Sequence, residues 1–146
     1  MATRASITLT SDIMPNFGSY TKSMTLTAAG TLIDVDSTTG FSRRKLATTS
    51  ITDIVTMANE LVETKDSTAA KIYIKNIGYN DVVDKSVYVS ISLGTAGGTT
   101  QEISKLYGGD WMLIPLTGID ATGDVYATSS TNDAVVLEYV MYYEEN

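Results

Sequence analysis

A chain of 146 residues is long enough to bury one substantial core without disulfides or metals. A formal net charge of −7 and a pI near 4.4 oppose nucleic acid and anionic membranes as partners wherever basic residues are not gathered. The absence of cysteine removes thiol catalysis and thiolate metal sites, and the absence of histidine removes every triad that uses imidazole as its base. With 18% charged residues, and with nine Tyr against two Phe, the apolar-to-polar boundary is made of β-branched and hydroxyl-bearing side chains, a composition that favours strands. No apolar run at the N-terminus has the length of a signal peptide or a membrane span, so synthesis and assembly in the cytoplasm are expected.

Residues 4–10 alternate, with Ile7 and Leu9 on one face, and predict a short strand. Residues 11–20 interrupt it with Pro15, Asn16 and Gly18, and carry Met14, Phe17 and Tyr20 as apolar anchors. This segment reads either as a loop on its own core or as an arm reaching a neighbouring chain. The chain accordingly divides into an N-terminal strand and arm, 1–21, and a β-domain, 22–146. Residues 22–28 alternate again with Met24 and Leu26 inward, and Gly30 marks a turn before residues 31–36. Asp34 and Asp36 share a strand face there, but the other acidic ligands of a calcium loop are missing, and a solvated polar face is expected with no metal. Arg43, Arg44 and Lys45 form the one basic cluster, which would meet an acidic partner surface or offset local acids.

Residues 51–63 support two readings. Ile51, Ile54, Val55, Ala58, Leu61 and Val62 fall on a helical stripe, whereas the β-branched run 48–56 suits a strand. Residues 71–76 predict a half-buried strand with Ile72 and Ile74 inward and Lys71 and Lys75 outward, and residues 85–93 repeat the pattern with Val87, Val89, Ile91 and Leu93 inward. Residues 94–98 are glycine-rich, but no Lys-Ser or Lys-Thr pair follows, so a hairpin tip is expected there in place of a phosphate loop. Residues 101–106 predict a further strand.

Gly108-Gly109-Asp110 predicts a tight turn in which the Asp side chain satisfies backbone amides. It opens into the strand that carries the single tryptophan, with Trp111 and Leu113 on one face and Met112, Ile114 and Leu116 on the other. Both faces are apolar, which predicts a central strand with Trp111 as a core anchor. After a short strand at 124–128, residues 134–143 form the last strand, again apolar or aromatic on both faces: a sheet interior or a subunit interface. Its Tyr139, Met141, Tyr142 and Tyr143 are the candidates for self-association. Strands at this spacing predict an all-β fold, a single compact antiparallel β-sandwich of jelly-roll-like form, with one short helix near 51–63 if the helical stripe prevails. No constellation of catalytic residues emerges, and no cofactor is expected.

The run 70–76 (Ala-Lys-Ile-Tyr-Ile-Lys-Asn), the strand end 91–94, the segment 103–111 (Ile-Ser-Lys-Leu-Tyr-Gly-Gly-Asp-Trp), Ile114-Pro115 and the ending 136–144 together resemble small structural proteins of tailed bacteriophages, marine and cyanobacterial phages among them. The likeness covers the C-terminal half of the chain, and the first 65 residues match much less. The resemblance implies a non-enzymatic virion component that decorates or cements the outer surface of a capsid. Its partner would be the major capsid protein, and its state a homo-oligomer, with a trimer favoured. On that reading Phe17, Tyr20, Arg43, Arg44 and Lys45 are the expected shell contacts. The competing reading is a tail-fibre or host-recognition module that binds glycan through Trp111 or exposed tyrosines.

Overall fold

The computed structural model describes residues 4–10, 19–26, 37–46, 49–55, 70–79, 86–94, 99–116, 124–132 and 135–143. Phe17, the pair Asp34 and Asp36, and the glycine-rich tip at 95–98 lie outside them. The described residues form strands β1 (Arg4–Thr10), β2 (Ser19–Thr25), β3 (Ser37–Thr38), β4 (Ser42–Leu46), β5 (Thr52–Val55) and β6 (Ala70–Tyr79). They continue with β7 (Tyr88–Gly94), β8 (Thr100–Tyr107), β9 (Trp111–Leu116), β10 (Asp124–Ser129) and β11 (Val135–Tyr143). No helix occurs among the described residues.

Every ladder is antiparallel. Strand β4 pairs β11, β5 pairs β10, β6 pairs β9 and β7 pairs β8, so residues 42–143 behave as one long hairpin folded at the β7–β8 end. That hairpin is wrapped so that β11 also meets β6 and β10 also meets β7. The result is two sheets, β4-β11-β6-β9 and β5-β10-β7-β8, with β3 extending β4 along β11. This wrapping of a hairpin into two packed sheets is the jelly roll, in which the sheets cover each other's apolar faces. The β1–β2 ladder belongs to neither sheet. The expected division between residues 21 and 22 lies inside β2.

The core lies between the sheets. Ile72 and Ile74 of β6 and Val135, Leu137 and Met141 of β11 meet Val89 and Ile91 of β7 and Val125 and Ala127 of β10, all of them fully buried. Each large side chain of this set contributes about 1.5–3 kcal/mol by leaving water. Segment 51–63 enters the core as a strand where it is described: Thr52–Val55 pairs with β10 and buries Ile54, because β-branched residues suit a pleated ladder better than a helix.

One link between the sheets lies wholly within the described residues. Strand β8 of one sheet passes to β9 of the other through Gly108-Gly109-Asp110, closed by Asp110 N–H donating to the Tyr107 carbonyl at 2.8 Å and Tyr107 N–H donating to Asp110 Oδ2 at 3.0 Å. Buried Asn76 of β6 fastens this corner from both ends of its side chain. Its Nδ2 donates to the Leu106 carbonyl at 2.9 Å and its Oδ1 accepts from Gly78 N–H at 2.8 Å, while its backbone exchanges bonds with Gly109 and Asp110. The Gly78 bond sits at a bulge, where the β6–β11 register slips by one residue.

Three expectations are corrected. Strand β9 is an edge strand, not a central one: it pairs only with β6, and Pro115, which has no N–H to donate, is tolerated there. Met24 is 55% exposed although Leu26 is buried, since β2 pairs with β1 outside the main sheets. Lys71 has the outward parity expected of it but is only 8% exposed, being flanked in register by Pro115 and Tyr142, so its stem is covered.

Candidate functional site

The outer face of the β4-β11-β6-β9 sheet carries three cross-strand rows, because directly opposite residues of an antiparallel ladder project to the same side. Trp111, Lys75, Glu138 and Arg43 form the first row, Leu113, Tyr73 and Val140 the second, and Pro115, Lys71, Tyr142 and Thr38 the third. Between β3 and β4 the chain has one residue more than β11 opposite it. Thr39 bridges the gap by donating its N–H to the Met141 carbonyl at 3.0 Å and accepting Met141 N–H at its Oγ1 at 3.1 Å. Gly40 takes φ +73°, a conformation that a side chain would strain, and Phe41 is thrown onto the second row.

Phe41 meets Tyr73 edge to face, with ring centroids 6.3 Å apart and planes at 80°, and Tyr73 meets Trp111 at 5.9 Å and 35°. Such pairs are worth about 0.5–1.5 kcal/mol each, enough to hold the rings in place while leaving outer faces open. Phe41 remains 68% exposed and Trp111 45% exposed. Strand β1 borders this face across a partly open cavity of about 340 Å³. Tyr73, Leu113, Glu138 and Tyr142 line it from the sheet, and Arg4 to Ile7 line it from β1.

The charges on this sheet are segregated from those of the chain as a whole. Strands β4, β6, β9 and β11 hold five basic residues and one acidic residue, although the protein is acidic overall. The acid, Glu138, receives Arg43 Nε and Nη2 on one oxygen, each at 3.1 Å. With Arg43 largely in water this pair adds less than about 1 kcal/mol to stability, and its effect is to fix the carboxylate at the cavity wall. Among the described residues Arg4, Arg44, Lys45 and Lys75 have no carboxylate partner. The Tyr73 phenol is pushed above its ordinary pKa, first by burial and then by the neighbouring Glu138 carboxylate and Tyr142.

Comparison with protein-family models, curated proteins and solved structures found no match for this chain. The functional reading therefore rests on the residues themselves. Trp111 is no core anchor: as the first residue of an edge strand it faces away from the inter-sheet core and stands at the rim of the cavity. Met141, expected at a self-association surface, is fully buried between the sheets, because β11 is an interior strand and Met141 points inward. Tyr139 and Tyr143 share its side and pack against the core, whereas Tyr142 projects to the opposite face and lines the cavity. Arg43, Arg44 and Lys45 are all exposed on β4, but strand alternation divides them: Arg43 and Lys45 share the cavity face, and Arg44 takes the other. Tyr20 lies in β2 opposite Leu9.

Tyr73, Glu138 and Arg4 were not singled out in the sequence, where the one basic cluster expected was 43–45. The outward parity of Lys71 and Lys75 already placed Tyr73 on their face. The missing information was which strands lie beside β6.

Proposed function

We propose that this protein is a non-enzymatic virion structural component, a decoration or cement protein on the outer surface of a phage head. The observation that carries the reading is the jelly-roll strand order, an architecture that recurs in viral capsid domains, joined to the likeness of residues 70–144 to phage structural proteins. Fold alone does not assign function. The distribution of charge adds a physical reason. The free edge of β4 carries Arg44 and Lys45 without carboxylate partners among the described residues, and suits an acidic shell surface of the major capsid protein. The acidic remainder of the chain suits a position away from packaged DNA. Attachment as a homo-oligomer, a trimer in the first instance, would multiply weak edge contacts into stable occupancy.

The test is the copy number and location of the protein in purified particles, measured by quantitative mass spectrometry after heads are separated from tails. Hundreds of copies on heads, reduced in particles that carry Arg44→Glu with Lys45→Glu, are the expected result. A few copies on tails would move the protein to a fibre or host-recognition role.

A further inference from the structure

The cavity beneath β1 has a composition that shell attachment does not use. It lies on the outer face of the sheet, and its aromatic rim, Trp111, is at the β9 edge, opposite the cationic β4 edge. Its volume of about 340 Å³ is at the lower end of the range for sites that enclose small molecules or single sugar units. An exposed aromatic platform in water is unfavourable unless something covers it, and the tilted Tyr73 and Trp111 rings present π-faces against which the C–H face of a pyranose can lie. Polar groups occupy the same space: the Tyr142 side chain, the Glu138 oxygen that Arg43 leaves free, and Arg4. That mixture of ring faces and hydrogen-bonding groups matches a saccharide better than a lipid chain, which would leave the polar groups unsatisfied.

Charge narrows the class further. The Glu138 carboxylate is already neutralised by Arg43. Arg4 lines the cavity and has no carboxylate partner among the described residues. An uncompensated cation beside an aromatic platform, in a chain of net charge −7, is complementary to an anionic ligand. We propose that the cavity between β1 and the outer face of the β4-β11-β6-β9 sheet binds an acidic saccharide, a pyranose ring stacking on Trp111 and Tyr73 with its carboxylate turned to Arg4. The inference does not depend on the virion reading, since particle location and saccharide binding are measured separately.

The test uses the purified full chain and a panel of uronate trisaccharides (galacturonate, glucuronate, mannuronate and guluronate), each beside its neutral counterpart of the same linkage. Because Trp111 is the only tryptophan, its fluorescence reports occupancy directly in the wild type, and calorimetry reads the variants. At least one uronate should bind saturably and at least about tenfold more tightly than its neutral counterpart, with affinity falling as salt is added. Trp111→Ala should abolish that binding and Arg4→Ala weaken it about tenfold, with unchanged far-ultraviolet dichroism confirming that both variants fold. Tyr107→Ala is the control. It removes a ring from the other exposed aromatic and cationic cluster, where Tyr107 meets Tyr88 at 5.4 Å and Lys105 lies 5.0 Å from the Tyr88 ring. Equal binding of neutral and acidic sugars, equal loss in Tyr107→Ala, retention in Trp111→Ala, or no binding by any uronate would each overturn the proposal.

Discussion

Tyr73 joins the aromatic side chains of the candidate site. Its ring lies edge to face with Phe41 and tilted against Trp111, and its phenol lies near Glu138 and Tyr142. Burial comes first among the causes that raise its pKa, so the folded state holds the phenolic proton at pH values where the unfolded chain has released it. The stabilisation is therefore complete below the unfolded value of about 10 and is lost as pH rises through the higher folded value. Above about pH 10 the wild type should lose stability faster than Tyr73→Phe, in urea titrations repeated across the alkaline range. Parallel stability curves for the two proteins would mean that burial does not hold the proton on Tyr73.

At the scale of elements, the corner between β8 and β9 ties the edges of the two sheets together. A single side chain, Asn76, serves two segments there: the end of β8 through Leu106, and the bulge of its own strand at Gly78. Asn76→Ala should leave the Leu106 carbonyl and the Gly78 N–H buried without these partners and lower stability by about 2–4 kcal/mol, measured by urea unfolding. Loss of well under 1 kcal/mol would show that neighbouring groups or water replace both bonds. The strands at this corner were legible from alternation: Ile72 and Ile74, Val89 and Ile91, and Met112, Ile114 and Leu116 all have the inward parity their spacing implies. The rank of each strand in its sheet was not legible. Strand β9 has two apolar faces and lies at an edge, with one of those faces directed at a partly open cavity instead of a second sheet.

For the whole molecule, the wrapped hairpin makes the outermost pairings the most distant in sequence. Strand β11 is bonded to β3, β4 and β6, whereas β1 and β2 pair only with each other. A chain lacking residues 135–146 should therefore fail to fold cooperatively. A chain lacking residues 1–25 should keep cooperative thermal unfolding and lose the roof of the cavity. Near-ultraviolet dichroism, which reports fixed aromatic packing, distinguishes the two. Equal loss of structure in both truncations would make the β1–β2 ladder part of the cooperative unit.

The sequence by itself determined the all-β class, the strand parities and the exclusion of histidine and thiol chemistry, because these follow from residue type and period-two alternation. It also placed Tyr73, Lys71 and Lys75 on one side of one strand, and Trp111 and Leu113 on one side of another. Only the tertiary structure decided that those sides adjoin, that Glu138 and Arg43 complete their row, and that β1 walls one side of a partly open cavity over them. Alternation fixes which way a side chain points along its own strand, while the neighbours of a strand depend on how the long hairpin wraps, and no local pattern encodes that.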